Sequence, residues 1–387
     1  MSDGRRKTSL KAKYYIETKK DLREVAEFLV ELETTGKWSG PGAPTSLYES
    51  CRGEVASVEE IDTGKGFVTL NYPMINFNME DSAFSSMWLY MIGGATHALV
   101  DYEKSRLVDF EFPEEYDRYF PGPLLGIQGV KEYLGVSGDQ PVIGTIVKPT
   151  AGLTAVEVAA MCGEFAEGGL QFIKDDEKMM NTSYCTLDER VEKVMKAIRR
   201  AEDKTGLRVL YAPHITTGPE NILEFAEHAV RRGARALMVN IFAAGFSSLK
   251  MLRAEFDVPI YAHCGGKEAF GRAEGQGVSP EVIAKFTRLM GGEFFRSNIL
   301  GGYLVGGSTS EIHSLIDVMR KPMKGIKDMT PALSGGLNPA NLMENLEAFG
   351  TEVMVLAGTG ITQYPGGIKH GVEAMKAVAA KYSEAKI

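Results

Sequence analysis

The chain has 387 residues, 44% of them hydrophobic and 24% charged, which suits a soluble globular protein and excludes a disordered one. Its net charge of −8 argues against nonspecific nucleic-acid binding, and no apolar run reaches the length of a membrane span. The four cysteines, Cys51, Cys162, Cys185 and Cys264, form no CxxC pair, so neither a zinc site nor a disulfide framework is indicated.

The start, Met1 to Lys7, is polar and no signal-peptide core follows it. With thiols read as reduced, the expected location is cytoplasmic. Lys11 to Thr18 reads as a strand. Asp21 to Leu32 then reads as an amphipathic helix with Leu22, Val25, Phe28 and Leu29 on one side. A loop rich in breakers spans Gly36 to Pro44. Strands follow near Glu54–Ile61 and Gly66–Tyr72, then a helix near Phe84–Ile92 and a strand near Leu107–Phe112. This mixture predicts a small α+β, ferredoxin-like domain over residues 1–123, with Pro121-Gly122-Pro123 as its boundary.

From residue 124 to residue 387 the pattern becomes strand, loop, helix, repeated. Eight strand candidates are legible: Val142–Lys148, Phe172–Asp176, Val209–His214, Ala236–Ile241, Ile260–Cys264, Phe294–Asn298, Pro331–Ser334 and Val353–Ala357. Helix starts are marked by capping boxes at Thr154/Glu157 and Ser308/Glu311. Proline stands at a first helical turn in Gly218-Pro219, Ser279-Pro280 and Asn338-Pro339. The fold class expected is α/β, a C-terminal (β/α)8 TIM barrel behind the small N-terminal domain. An open doubly wound sheet is the alternative.

A barrel builds its site at the C-terminal strand ends. Those ends supply Lys148, Lys174, Asp176, Glu177, His214, Asn240, His263, Arg296, Asn298, Ser334-Gly335-Gly336 and Gly358-Thr359-Gly360. In Phe172–Glu177, strand alternation puts Lys174 and Asp176 on one face. Glu177, just past the strand end, can turn to the same point. Two close carboxylates repel unless a cation lies between them, and hard oxygen ligands favour Mg²⁺. The competing reading is a solvated charge cluster. Asp175 points the other way and reads as half of a structural pair.

The chain resembles the large subunit of RuBisCO. Lys174-Asp175-Asp176-Glu177 is similar to that family's metal motif. Gly144-Thr145-Ile146-Val147-Lys148-Pro149, followed by Gly152-Leu153, resembles its first barrel strand. Ser334-Gly335-Gly336 and Gly358 resemble its phosphate loops, and Glu49-Ser50 and Tyr72-Pro73 its N-terminal domain. The resemblance implies a carbamate formed from CO₂ on Lys174, which with Asp176 and Glu177 would hold Mg²⁺. It implies Lys148 as proton donor or stabiliser beside an enolate, and His263 on a substrate hydroxyl. It implies phosphate contacts from Ser334, Gly335, Gly336 and Gly358, and Glu49 reaching the neighbouring subunit's site in a homodimer or an assembly of dimers.

The departures from the carboxylase pattern shape the expected function. Thr150 stands where a second lysine is expected, and Tyr303 where the mobile-loop lysine is. Ala95 falls near an expected asparagine, Cys264 on an arginine and Arg296 on a phosphate-binding histidine. The metal motif and Lys148 remain, and enolate formation needs only those. The resemblance therefore implies a RuBisCO-like protein that enolises or isomerises a phosphorylated keto-sugar without fixing CO₂. Decarboxylation of a β-keto sugar-acid phosphate is the alternative. A true carboxylase and a silent binding protein are further readings. Arg296 could take over the second phosphate or pair with Glu293. His97, near the missing asparagine, is weighed as a substituted acid or base against a merely structural role, and His214 reads as packing. The loop Gly301–Ser308 and the stretch Ala95–Val100 are expected to shape the pocket.

Overall fold

The structure, a computed structural model, describes residues 8–304 and 307–385. Val305 and Gly306, in the loop expected to shape the pocket, lie outside the described residues, as does Met1–Lys7. In chain order the strands are β1 Ser9–Thr18, β2 Glu54–Asp62, β3 Lys65–Pro73, β4 Tyr102–Glu111, β5 Val142–Ile146, β6 Phe172–Lys174 and β7 Leu210–Ala212. They continue as β8 Leu237–Asn240, β9 Ile260–His263, β10 Gly277–Val278, β11 Phe294–Ser297, β12 Thr330–Leu333 and β13 Met354–Leu356. The chain packs as two units, one of residues 1–120 with 266–286, the other of residues 121–265 with 287–387.

The first unit holds a five-stranded sheet in the order β10-β4-β1-β3-β2. β1 runs antiparallel to both β3 and β4. Its alternate residues Leu10, Ala12, Tyr14 and Ile16 are buried, the period a half-buried strand dictates. Together with the helices Leu22–Leu32 and Met79–Trp88, the first four strands give a βαββαβ order, the ferredoxin-like pattern. Asp21 caps the first helix by accepting the N–H of Glu24 at 3.0 Å. That helix buries Leu22, Val25, Ala26, Leu29 and Val30. Phe28, expected on the same side, is 47% exposed, because the buried stripe turns through Ala26 and Val30 instead. The second helix starts earlier than expected and passes into a π turn at Leu89–Gly93. The two-residue strand β10 pairs parallel with β4. Phe286 stacks on Phe110 and meets Phe84 edge-on, so this later stretch belongs to the same core.

The second unit is the barrel. All eight strand candidates are strands, with ends trimmed by one or two residues in most of them. They form one parallel sheet in the order β7-β6-β5-β13-β12-β11-β9-β8. The ring closes between β7 and β8: Met238 N–H donates to Pro213 O at 2.9 Å, and Ile215 N–H donates to Met238 O at 2.9 Å. Val142, Phe172, Leu210, Ala212, Met238, Tyr261, Phe294, Ala332 and Leu356 fill the inside. Both expected capping boxes are present, at Thr154/Glu157 and Ser308/Glu311. Helices also begin at Pro280 and Pro339 as expected. Gly218-Pro219 does not start a helix. It forms a turn, with Asn221 N–H on Gly218 O at 3.1 Å, and the helix begins at Ile222.

At the opposite end of the barrel, buried Glu293 accepts the N–H groups of Leu125 and Gly126 at 2.8 and 2.7 Å. Burial pushes its carboxyl up to about 7 despite those bonds.

Candidate active site

Strand alternation decides which side chains reach the barrel mouth. Two residues beyond the apolar filling, on the same face, Lys174 follows Phe172, His214 follows Ala212 and Asn240 follows Met238. His263 likewise follows Tyr261, Arg296 follows Phe294, Ser334 follows Ala332 and Gly358 follows Leu356. The mouth is polar because each inward row changes character at its last step.

Lys174 is 1% exposed. Its Nζ donates to the carbonyl of Asp175 at 2.9 Å, lies 3.5 Å from Met238 Sδ and sits 5.3 Å from the centre of the Tyr261 ring. Burial pulls its pKa down to about 8, against the charges of Glu177 and Asp176, which favour the ammonium. Part of this amine is therefore neutral near pH 7, the form that attacks an electrophile.

Asp176 is fully buried, and a buried carboxylate needs a cation. Lys148 supplies it, its ammonium donating to Asp176 Oδ2. The other oxygen, Oδ1, accepts the N–H of Lys178 at 3.1 Å. Lys148 also donates to Thr150 Oγ1 at 3.3 Å, so the residue in the place of the second lysine is a neighbour of the first.

Glu177 is under opposing influences. Burial raises its pKa, but the charges of Lys174 and Lys148 and a backbone N–H outweigh it, and the net shift is downward. Its Oε2 lies 3.6 Å from His263 Nε2. His263 Nδ1 accepts the N–H of Gly265 at 3.1 Å, which places the ring proton on Nε2, facing Glu177. Burial, reinforced by Lys174, holds this imidazole well below its usual pKa, so the contact is a neutral histidine approaching a carboxylate and not an ion pair.

Asp175 turns away from these groups, as alternation requires. Both of its oxygens are used, by Arg190 Nε at 2.9 Å, Tyr211 OH at 2.7 Å and His214 N–H at 2.9 Å. Beneath Lys174 and Asp176 lies this fully buried ion pair.

The other expected residues are placed as follows. Arg296 is buried and donates to Asn298 Oδ1 at 3.3 Å, while Glu293, its alternative partner, holds the backbone N–H groups at the far end. Ser334 is buried at the end of β12. Gly335 and Gly336 follow with φ of +107° and +111°, a conformation that favours glycine. The loop after β11 lies on them: Tyr303 N–H donates to Gly335 O at 3.1 Å. A cleft of about 640 Å³ opens beside Gly336, Asn338, Thr359 and Gly360, with Tyr303 and Tyr364 on its walls. A Cβ added at Gly358 would lie in ordinary contact with Ile146 and Lys148, 3.7 Å from each. Glu49 is exposed on the short helix Ser46–Cys51 of the first unit. His97, also in the first unit, contacts Ser105 through Nδ1.

The donor set limits what cation could be held. Among the described residues no three His, Cys, Asp or Glu side chains gather to hold a metal. Two carboxylates, Asp176 and Glu177, stand beside one buried amine. They suit a hard divalent ion if the amine becomes an oxygen ligand. Asp176 already holds one cationic group, the Lys148 ammonium.

Comparison with known proteins places this geometry in a family. The pattern of the ribulose bisphosphate carboxylase large chain, catalytic domain, matches residues 126–386, and that of its N-terminal domain matches residues 5–116. A ribulose bisphosphate carboxylase of Pyrococcus horikoshii is 30% identical, with 94% of this chain and 84% of that protein covered. A 3-oxo-isoapionate-4-phosphate decarboxylase of Rhizobium rhizogenes is 28% identical, with 95% of this chain and 91% of that protein covered. The solved structure of a rubisco-like protein from Burkholderia fungorum superposes with a TM-score of 0.88 at 27% identity, covering 97% of this chain and 95% of that one.

Proposed function

The chain belongs to the ribulose bisphosphate carboxylase large-chain family, and from that premise we propose that it is a RuBisCO-like enzyme. It forms an enolate from a phosphorylated keto-sugar, by enolisation, tautomerisation or isomerisation, and does not fix CO₂. The observation that carries this reading is the pairing of Lys148 with Asp176 beside Lys174, with Thr150 and Tyr303 in place of the carboxylase lysines.

Lys174, once carbamylated by CO₂, Asp176 and Glu177 would hold Mg²⁺, and the bound ion would make the proton next to a substrate carbonyl easier to remove. Lys148, whose ammonium now rests on Asp176, would be the group to protonate or stabilise the enolate if that carboxylate were engaged by the ion. His263, with its proton on Nε2, presents a neutral donor to a substrate oxygen. Gly335, Gly336 and Gly358, with Ser334, offer backbone and hydroxyl donors to one phosphate. Arg296 offers a charge to another acidic group. Glu49 acts in the neighbouring subunit's site. We take the assembly to be a homodimer or built from dimers, consistent with the exposed Leu47, Ile75, Leu89 and Val100 of the first unit. No described helix is long and apolar enough to cross a membrane, and the proposed location is cytoplasmic.

The test is proton exchange in D₂O, followed by NMR across a panel of ketose phosphates with Mg²⁺ and bicarbonate. Metal-dependent exchange next to the carbonyl is expected. Absence of exchange throughout the panel, or incorporation of labelled CO₂ with ribulose bisphosphate, overturns the reading.

A second reading has its own support, the decarboxylase relative that spans nearly the whole chain. Loss of CO₂ from a β-keto sugar-acid phosphate gives the same kind of enolate, so the same residues would serve. Release of CO₂ from a branched 3-keto acid phosphate, without exchange on simple ketose phosphates, decides for it.

A further inference from the structure

His214 stands at the seam where the barrel closes, bridged through the backbone to Met238. Its place at a strand end suits packing. Its backbone N–H is committed to Asp175 Oδ2. The residue is 3% exposed, and neither Nδ1 nor Nε2 of its ring has a hydrogen-bond partner among the described residues. Below it on the same inward face are Leu210 and Ala212, both apolar. A position meant only for packing would continue that row, since unpaired buried nitrogens destabilise. The imidazole is in place for a partner that arrives later.

The surroundings narrow the choice of partner. The charges acting on the ring belong to Asp175, Lys174, Arg190 and Glu177. Asp175 and Arg190 are already satisfied by each other. Lys174 is different: one of its contacts is Met238 Sδ, a weak acceptor, and Met238 is the residue bridged to His214. Lys174 pairs in register with Ala212, two residues before His214 on the same inward face, so the amine and the ring occupy neighbouring inward rows, both almost fully buried.

We propose that His214 is a positioning residue that donates a hydrogen bond to the carboxylate which CO₂ adds to Lys174. The proposal rests on the reading of Lys174 given above. In that addition the neutral amine attacks the carbon of CO₂ and the N–C bond forms. One C=O electron pair moves onto oxygen, and the amine releases a proton to solvent. The product has two oxygens that share one negative charge in a buried setting. A metal held with Asp176 and Glu177 would use one of them, and the other needs a donor. A neutral imidazole with neither nitrogen committed can turn its single N–H to meet it.

The test is ¹³C NMR of the full chain titrated with ¹³C-bicarbonate in the presence of Mg²⁺, with Lys174→Arg assigning the carbamate resonance. His214→Phe is expected to raise the CO₂ level for half-occupancy about tenfold or more, the scale of a hydrogen bond to a charged group. His214→Gln, which keeps a donor, is expected to stay within about threefold of wild type. His214→Leu serves in place of the phenylalanine variant if the larger ring disturbs the seam. If the apolar variants take up CO₂ as wild type does, the proposal is overturned while the reading of Lys174 stands. If wild type itself shows no Lys174 carbamate, both fall together.

Discussion

Arg190 Nε donates to Asp175 Oδ2 at 2.9 Å, and both side chains are completely buried. The pair lies directly beneath the two residues, Lys174 and Asp176, that face the barrel mouth. Asp175 also fixes Tyr211 and the backbone of His214 on the neighbouring strand. One carboxylate thus ties two strand ends to the helix Leu187–Thr205 that follows β6.

Removing that carboxylate leaves Arg190 buried without its counter-charge. Asp175→Ala is expected to destabilise by about 3–5 kcal/mol, the usual cost of breaking a buried pair from one side. Urea denaturation measures it. A midpoint within error of wild type would show that the pair contributes little.

Lys148→Met keeps most of the side-chain volume and removes the ammonium. Proton exchange is expected to fall by about 10²- to 10⁴-fold, the range for a lost acid–base group. Thermal unfolding and exchange in D₂O are measured together, so that loss of activity is separated from loss of fold.

Asp176→Asn removes a charge from the proposed cation site. Mg²⁺ with bicarbonate is expected to raise the Tm of wild type and to leave that of the variant unchanged. At a metal concentration a hundred times Kd, the stabilisation is about 2.7 kcal/mol. An equal rise in both proteins places the ion elsewhere.

Glu293 makes stability depend on pH, with a definite sign. Its folded pKa of about 7 lies above its ordinary value of 4.5, so the folded chain binds more protons than the unfolded chain between those two points. Stability from this group is full below about 4.5 and is lost as pH rises through about 7. The loss is at most about 3 kcal/mol. Denaturation at several pH values should show this slope in wild type and not in Glu293→Gln. The glutamine variant should also be weaker at low pH, because Leu125 and Gly126 donate to different oxygens and the amide's NH₂ end cannot accept.

Gly336 has φ of +111°, and an added Cβ would lie 2.9 Å from Tyr303 Cδ1. Gly336→Ala is expected to cost about 1–3 kcal/mol in backbone strain. It should also weaken the binding of inorganic phosphate, measured by calorimetry. Unchanged phosphate affinity would separate this loop from the anion site.

The barrel was readable because its signals are local and repeat. Each inward row, such as Phe172 then Lys174, shows its period within a few residues, and capping boxes mark the helices that follow. Asp175 as a structural pair was also legible, since alternation sends it opposite to Lys174. What escaped depended on contacts distant in sequence. His214 looks like any strand-end histidine until Asp175 is seen to hold only its backbone. Phe28 fits a helical stripe on paper, but Ala26 and Val30 are the residues that are buried. Gly277–Val278 is too short to have a period, so nothing in the sequence assigns it to β4.

That last pairing bears on how the chain can be divided. The path leaves the first unit after Phe120, returns to it at Gly266 and departs again after Phe286. A fragment starting at residue 121 would keep Val278 and Phe286 but lose the strand and aromatic rings that cover them. Such a truncation should be sticky and poorly folded, and a chimera that swaps only the N-terminal third should inherit the same defect. Anyone grafting a foreign barrel here must transplant the 266–286 excursion along with its host sheet.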